Sequence, residues 1–168
     1  QFPDSFFDVA IGNVPFGQFK VVDRKYDKYN FLIHDFFFAK TLDKVRPGGI
    51  VMFITSSFTM DSKDAGIRQY IMDRADLLGA IRLPNTSFKD NAGTEVVTDI
   101  LVLKKRDGST EYAGEDFLNA DYDYKNSSYV SNYFKEHPDF DMDYDDTFGE
   151  FSLDYLISDS EQPLSIED

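Results

Sequence analysis

Apolar and polar residues alternate in blocks along the first half of the chain, and the blocks predict strands and helices in turn. The short apolar run from Phe7 to Ile11, closed by Gly12-Asn13, predicts a buried strand followed by a turn. From about Tyr26 to Val45 apolar residues recur at helical spacing over a broad face, which predicts a helix covered on more than one side. That helix should end at Arg46-Pro47-Gly48-Gly49, since proline cannot continue a helix and glycine suits the turn beyond its end.

Three further elements and a loop follow this turn. The continuous apolar run from Ile50 to Thr55 predicts a strand buried on both faces of a sheet. A helix fits Asp64 to Ala75, and a third strand fits Leu77 to Leu83. The segment from Pro84 to Gly93 is polar and predicts a loop, after which Val96 to Lys104 predicts a fourth strand.

This order of elements predicts an α/β fold with right-handed crossovers. The last two strands are joined by about a dozen residues without a helix, which is too short for a parallel crossover, so we expect an antiparallel pair in a mixed sheet. After about residue 106 the pattern becomes irregular, apart from a short helix around Tyr129 to Glu136 that Pro138 breaks. We therefore predict an α/β domain over residues 1–108 and an irregular, partly helical, acidic extension over residues 109–168.

Composition narrows the class of protein. The 168 residues include 17 phenylalanines and 10 tyrosines but no cysteine, which is enough for one domain with a core and excludes disulfides and cysteine metal sites. No apolar run is long enough for a membrane span, so a cytoplasmic location without membrane contact is expected. The net charge of −14 is concentrated after His137, where the sequence has acids but no lysine or arginine. A partner with phosphates is therefore not excluded for the nearly neutral remainder.

The segment Gly12 to Gly17 is the strongest candidate for chemistry, because ligands of open α/β sheets bind beyond the carboxyl ends of the strands. A planar amino group becomes a nucleophile when both of its N–H bonds have acceptors. The Asn13 side chain and the Val14 carbonyl, held extended by Pro15, would supply two such oxygens, and Phe16 would stack on the ring. A purely structural interpretation also stands, in which Pro15 fixes a turn and Phe16 fills a gap.

The residues Asn13-Val14-Pro15-Phe16 resemble the signature of amino-group methyltransferases that use S-adenosylmethionine, which is Asn or Asp, Pro, Pro, then Tyr or Phe. Val14 departs from that signature but retains the carbonyl. The order of strands and the Pro-Gly-Gly turn also resemble the second half of that family's Rossmann-like sheet. Together with Ile81-Arg82-Leu83-Pro84 and Asn132-Tyr133-Phe134, the sequence is similar to adenine-N6 DNA methylases of type I restriction-modification systems and to the methylase part of large helicase-methylase proteins of mobile elements.

The resemblance implies a transferase that methylates the N6 amino group of adenine in DNA, with Asn13, Val14, Pro15 and Phe16 as catalytic residues. It also implies S-adenosylmethionine as cofactor and DNA as partner of the full-length protein. The family's glycine-rich turn and acidic cofactor residue precede the signature, and none of this chain's glycines forms such a turn near its start. We therefore expect a fragment with an incomplete cofactor site that is inactive alone. The strand Phe7 to Ile11 would expose an open sheet edge, through which a homodimer is expected.

Residues that would bind DNA are expected at the same end of the sheet. They are Gly17 and, in the loop after the third strand, Asn85, Lys89 and Asn91, although a solvated hairpin without ligand would look the same. Two other functions remain open. The acidic extension could make the chain a protein-interaction module on a degenerate methyltransferase fold, or the same signature could serve methylation of guanine in RNA or glutamine in protein. No metal site is expected from the two histidines.

Overall fold

The computed structural model describes residues 2–87 and 97–143, and all structural statements concern these ranges. The elements alternate as expected up to residue 105, and a small second sheet follows. The strands are β1 (Phe7–Asn13), β2 (Val45–Ser56), β3 (Ala75–Leu83), β4 (Thr98–Lys105), β5 (Ala120–Asp123) and β6 (Ser128–Ser131), and the helices are α1 (Ile33–Lys44), α2 (Phe58–Asp61), α3 (Gly66–Met72) and α4 (Asn132–Glu136), with single 3-10 turns at Asp27–Tyr29 and Pro138–Phe140.

The main sheet has the strand order β1-β2-β4-β3. β1 and β2 are parallel, whereas β4 runs antiparallel to both β2 and β3. The prediction of a mixed α/β sheet whose last two strands are antiparallel is therefore confirmed. Because β4 inserts between β2 and β3, the carboxyl ends of β1, β2 and β3 all lie at one end of the sheet. We call this the carboxyl end.

The core lies between one face of the sheet and the helices. α1 packs on β2, α3 packs on β3, and the two helices touch each other. Phe38 of α1 is fully buried and its ring meets that of Phe53 edge-on at 5.2 Å. On β2, Val51 and Phe53 are buried but Met52 is 37% exposed, so the expectation that this strand is buried on both faces is wrong. A continuous apolar run does not by itself show whether both faces of a strand are buried or only one.

The first helix is shorter than its apolar pattern predicts. It begins at Ile33, not near Tyr26, because a 3-10 turn over Asp27–Tyr29 ends at Asn30 with φ of 58°, a left-handed conformation that asparagine tolerates. Tyr26 is buried nonetheless, and its hydroxyl donates a hydrogen bond to Asp43 of the helix. The helical spacing of apolar residues therefore extends through a segment that is not helical. This spacing indicates which residues are buried and does not fix the backbone conformation.

The predicted turn Arg46–Gly49 belongs to the beginning of β2, where the strand bulges. Phe7 of β1 pairs with Val45, but Val9, two residues on, pairs with Ile50. Gly48 has φ of 80°, a conformation that favours glycine. A Cβ on Gly49 would lie 2.6 Å from the carbonyl oxygen of Asp8, so glycine permits the close approach of β1.

The second helix is also shorter than the predicted range Asp64 to Ala75, since α3 spans Gly66–Met72. The start of the fourth strand was predicted at Val96, which lies outside the described residues, and β4 is assigned from Thr98. No helix of the described residues is long and apolar enough to cross a membrane.

The segment after residue 108 packs on the same core. Phe117, Tyr133 and Phe134 are each at most 2% exposed, and the Tyr133 hydroxyl accepts a hydrogen bond from the Ala80 amide at 3.0 Å. The helix predicted over Tyr129 to Glu136 begins only at Asn132, because the preceding residues form β6, which pairs with β5 as a hairpin. A domain boundary at residue 108 stays a prediction, and the tail from residue 144 lies outside the described residues.

Candidate functional site

The signature segment leaves the sheet at the carboxyl end of β1. Asn13 is the last residue of this strand and is paired with Ile54 of β2, and the Val14 amide donates to the Ile54 carbonyl at 3.0 Å. Val14 is 4% exposed, whereas Asn13 and Pro15 are exposed. Burial of the Val14 side chain and the hydrogen bond of its amide fix the backbone that carries both predicted acceptors.

Both predicted acceptors are without a hydrogen-bond partner among the described residues. Within residues 2–87 and 97–143, neither the Asn13 side-chain oxygen nor the Val14 carbonyl accepts a hydrogen bond. Phe16 is half-buried and packs against the core, which leaves part of its ring uncovered. The structure thus brings Asn13, Val14, Pro15 and Phe16 to one place, and their convergence on a single amino group stays a prediction.

Gly17 follows the signature and is covered by an aromatic ring. A Cβ at this position would lie 2.6 Å from the ring of Phe19, so the ring packs directly over the glycine backbone. The carbonyl of Phe19 in turn accepts a hydrogen bond from the amide of Ile33, the first residue of α1. The loop after the signature is therefore tied to the start of the helix that supports the sheet.

A cavity of 430 Å³ runs beside β1. Its lining is apolar except for Asn13 and Thr41, and Phe37 and Phe53 form its inner wall. A nucleoside cofactor needs acceptors for its ribose hydroxyls and a partner for its charged groups. The described lining supplies an apolar wall and one amide but no charged side chain, so it does not by itself hold such a cofactor.

A buried polar cluster joins the start of α1 to the end of β2. The Thr59 hydroxyl donates to the Asp35 carboxylate at 3.2 Å and lies 3.0 Å from the Thr55 hydroxyl. Burial raises the pKa of Asp35 to about 7, although the hydrogen bond from Thr59 opposes this. Burial also lowers the pKa of the neighbouring His34. Because Thr55 immediately follows Ile54, this cluster supports the strand on which the signature rests.

A second buried cluster centres on Arg82, near the carboxyl end of β3. Its guanidinium donates two hydrogen bonds to the fully buried Asp99 of β4, at 2.8 and 2.9 Å, and lies 2.9 Å from Asp61 of α2. Burial raises the pKa of Asp99 to about 6 despite these bonds. The ring of Phe134 covers the guanidinium at 4.3 Å. The sequence indicated Arg82 only through the resemblance. The pattern that could have indicated the pair is a charged residue near the carboxyl end of one apolar strand and an opposite charge near the start of the next, Arg82 and Asp99.

The structure describes only some of the residues that are predicted to bind DNA. Asn85 is exposed beyond the end of β3, and its amide donates to Asp143 at 2.9 Å. It lies at the same end of the sheet as Asn13, three strand spacings or about 14 Å across. Lys89 and Asn91 lie outside the described residues. The structure therefore places Asn85 beside the site and not within it.

A larger cavity, of 1220 Å³, also opens at the carboxyl end of the sheet. It lies between α2 and the β5–β6 hairpin, and Ser57 after β2 and Val97 before β4 mark its floor. Lys63 and Lys125 line its walls. This hairpin was not predicted from the sequence. The pattern that could have indicated it is the alternation of Tyr122, Tyr124 and Tyr129 around a polar turn.

Comparisons with known proteins indicate a family for the chain. Residues 2–153 match the family model described as N-6 DNA Methylase. Over 107 residues, 61% of the chain, the sequence is 33% identical to the Defense against restriction protein B of Escherichia phage P1, of which the match covers 5%. The chain thus spans a small part of that relative.

Two solved structures share the fold. One is described as a class I S-adenosylmethionine-dependent methyltransferase of Listeria monocytogenes, with a TM-score of 0.51 and 23% identity over 68% of this chain and 36% of that one. The other is the M protein of the type I restriction enzyme EcoKI, with a TM-score of 0.50 and 16% identity over 80% of this chain and 30% of that one. The chain spans about a third of either structure.

Proposed function

The chain belongs to the N-6 DNA methylase family, and on this premise we propose that it takes part in methylation of the N6 amino group of adenine in DNA. The methyl donor is S-adenosylmethionine, and this chain supplies the residues that bind the amino group. The observation that carries the proposal is the pair of unengaged acceptors, the Asn13 side chain and the Val14 carbonyl, at the carboxyl end of β1. The wider agreement of fold and family supports DNA methylation in general.

The residues of this chain act on the base. A flipped adenine stacks on Phe16, and its amino group donates one N–H to the Asn13 side chain and the other to the Val14 carbonyl. These two acceptors draw positive charge onto the hydrogens and make the nitrogen lone pair available for attack. When bound, S-adenosylmethionine would supply an electrophilic methyl group, and the bond from this methyl to the sulfonium sulfur would break as the bond to nitrogen forms. The excess proton leaves the nitrogen after transfer.

We propose that residues outside this chain complete the cofactor site. The described lining of the cavity beside β1 has no charged side chain, which a complete site would need for the ribose and amino-acid groups of S-adenosylmethionine. We therefore propose that this chain alone binds the cofactor poorly and is inactive. Titration calorimetry with S-adenosylmethionine on this chain and on the full-length protein checks this, and tight binding by the chain alone would contradict it.

The open edge of β1 supports the proposed homodimer of the isolated chain. Among the described strands β1 pairs only with β2, and Val9 and Ile11 are 50% and 73% exposed. An unpaired apolar edge favours pairing with a second copy. Sedimentation at micromolar concentration should show a dimer, and a monomer would contradict this. In the full-length protein we propose DNA as the partner and the cytoplasm as the location.

The test of function uses the full-length protein and unmethylated DNA, with nucleosides analysed by mass spectrometry. Wild type should produce N6-methyladenine. Asn13→Ala should lower the rate about 100-fold or more, because one of two preorganised acceptors is lost. Val14→Pro keeps the carbonyl but removes the amide that donates to Ile54, so it should lower the rate less than Asn13→Ala does. Asn119→Ala, another exposed asparagine, is the matched control.

Two outcomes would overturn the proposal. An unchanged rate in Asn13→Ala would show that the signature does not bind the amino group. RNA and protein are offered as parallel substrates. Methylation found only on guanine in RNA or on glutamine in protein would show that the reaction is amino-group methylation but that the substrate is not DNA.

A further inference from the structure

The 1220 Å³ cavity between α2 and the β5–β6 hairpin, which we call the hairpin cleft, is not used by the signature. Its floor begins at Ser57, which follows β2, and at Val97, which precedes β4. These strands are one and two positions from β1, so the cleft lies about 5–10 Å to the side of Asn13 across the sheet. A polymer whose target unit occupies the signature would have its neighbouring units at this distance.

The cleft presents two lysines that form no ion pair within residues 2–87 and 97–143. Among the described residues, neither Lys63 nor Lys125 has a carboxylate oxygen within 4 Å, and both line the cleft. The Lys63 ammonium instead lies 6.0 Å from the centre of the Tyr129 ring. Lys135, also in the lining, pairs with Asp121 at 3.3 Å. The first two cations therefore remain available to an anionic ligand.

The carboxylates of the cleft are engaged within the protein. Asp61 and Asp141 face the Arg82 guanidinium, at 2.9 and 4.0 Å. Asp143 accepts the amide of Asn85. Asp123 likewise accepts backbone and side-chain donors of its own turn. Of the described residues, four cationic side chains and four aspartates line the cleft, so its lysines act through their position and not through an excess of positive charge.

Exposed aromatic side chains lie on α2 and on the hairpin, the two elements that form the cleft. Phe58 on the α2 side is 57% exposed, and Tyr124 at the turn of the hairpin is 87% exposed. Tyr122 contacts both Tyr124 and Tyr129 edge-on at 5.0 and 5.2 Å, which holds the hairpin rings together. Cations combined with exposed rings are the features that bind unstacked nucleic acid.

We propose that the hairpin cleft binds the DNA strand next to the target adenine, with Lys63 and Lys125 contacting phosphates and Tyr124 packing against a sugar or an unstacked base. This inference rests on the proposed function, because it takes the adenine at Asn13 as its reference point. It adds a nucleotide-binding surface outside the signature, built by a hairpin and the short helix α2.

The test measures DNA binding by fluorescence anisotropy, using the full-length protein, a labelled 30-base-pair duplex and salt between 50 and 200 mM. Removing a lysine that contacts one phosphate should reduce the slope of log affinity against log salt by about 0.9. The same counterion release corresponds to about eightfold in affinity at 0.1 M salt. Lys63→Ala and Lys125→Ala should each show this loss, and Tyr124→Ala should weaken binding with little change in slope. Lys104→Ala, at the opposite end of β4, should bind as wild type does.

A double variant Lys63→Ala/Lys125→Ala that binds with wild-type affinity and salt slope would overturn the inference. An equal loss in Lys104→Ala would also overturn it, because it would show a general effect of charge. Circular dichroism confirms that each variant is folded. The proposed function fails separately, through unchanged methyl transfer in Asn13→Ala. That variant should still bind DNA, since the hairpin cleft is intact.

Discussion

Asp35 gives the protein a pH-dependent stability that can be measured directly. Asp35 lies at the start of α1 and is 9% exposed, and this burial raises the pKa of its carboxyl group from 3.8 to about 7. Because this pKa is higher in the folded than in the unfolded state, the unfolded chain loses the proton first as pH rises. Stability therefore falls between about pH 4 and pH 7 and is constant above that.

The magnitude follows from the two pKa values of Asp35. Each pH unit between 3.8 and about 7 costs about 1.4 kcal/mol, so the loss at pH 8 is about 4 kcal/mol. Asp35→Asn keeps the shape of the neutral acid and an oxygen that accepts the Thr59 hydroxyl, but it cannot ionise. The variant should therefore match wild type at pH 4 and exceed its stability by up to about 4 kcal/mol at pH 8.

The assay is urea unfolding of wild type and Asp35→Asn, followed by circular dichroism, at pH 4, 6 and 8. His34 is also buried, which lowers its pKa, and its Nε2 lies 3.6 Å from the Asp35 carboxylate. The comparison at pH 8, where this imidazole is neutral, is therefore the decisive one. A difference in unfolding free energy that does not change with pH would refute the reasoning, as would a variant less stable than wild type at pH 8. Either result would mean that the folded protein does not favour the neutral form of Asp35.

Two further substitutions test how the sheet is held together. Gly49→Ala should lower the unfolding free energy by about 2 kcal/mol or more, because its Cβ would meet the Asp8 carbonyl oxygen at 2.6 Å; Gly108→Ala, with no atom within 4 Å of the new carbon, is the control and should change it little. Arg82→Met should lower stability by about 3–5 kcal/mol, because it leaves Asp99 buried without its cation, and adding Asp99→Asn should restore part of the loss. Chemical denaturation measures both, and an equal effect of the two glycine variants, or no recovery in the double variant, would contradict these expectations.

The sequence by itself determined the alternation of strands and helices and the position of the signature. These features depend on neighbouring residues: an apolar run between turn formers indicates a strand, and Pro15 restricts the backbone of Val14 directly. The short loop after Leu83 likewise determined that the last two strands are antiparallel, because chain length limits the crossover. Local chemistry was sufficient wherever the constraint spans a few residues.

Where an element begins was less accessible, because burial and backbone conformation are separate properties. Tyr26 is buried as a helical residue would be, but Asn30 turns the chain and α1 starts at Ile33. The β5–β6 hairpin was missed because its four-residue strands carry few apolar residues and draw stability from neighbours.

Only the tertiary structure decided which distant residues meet. Arg82 and Asp99 are 17 positions apart in the chain and pair because β4 inserts beside β3. The hairpin cleft arises in the same way, since Lys63 and Lys125 line one cavity although α3 and the strands β3, β4 and β5 separate them in sequence. Long-range pairing depends on how the whole sheet is ordered, and no local pattern specifies that order.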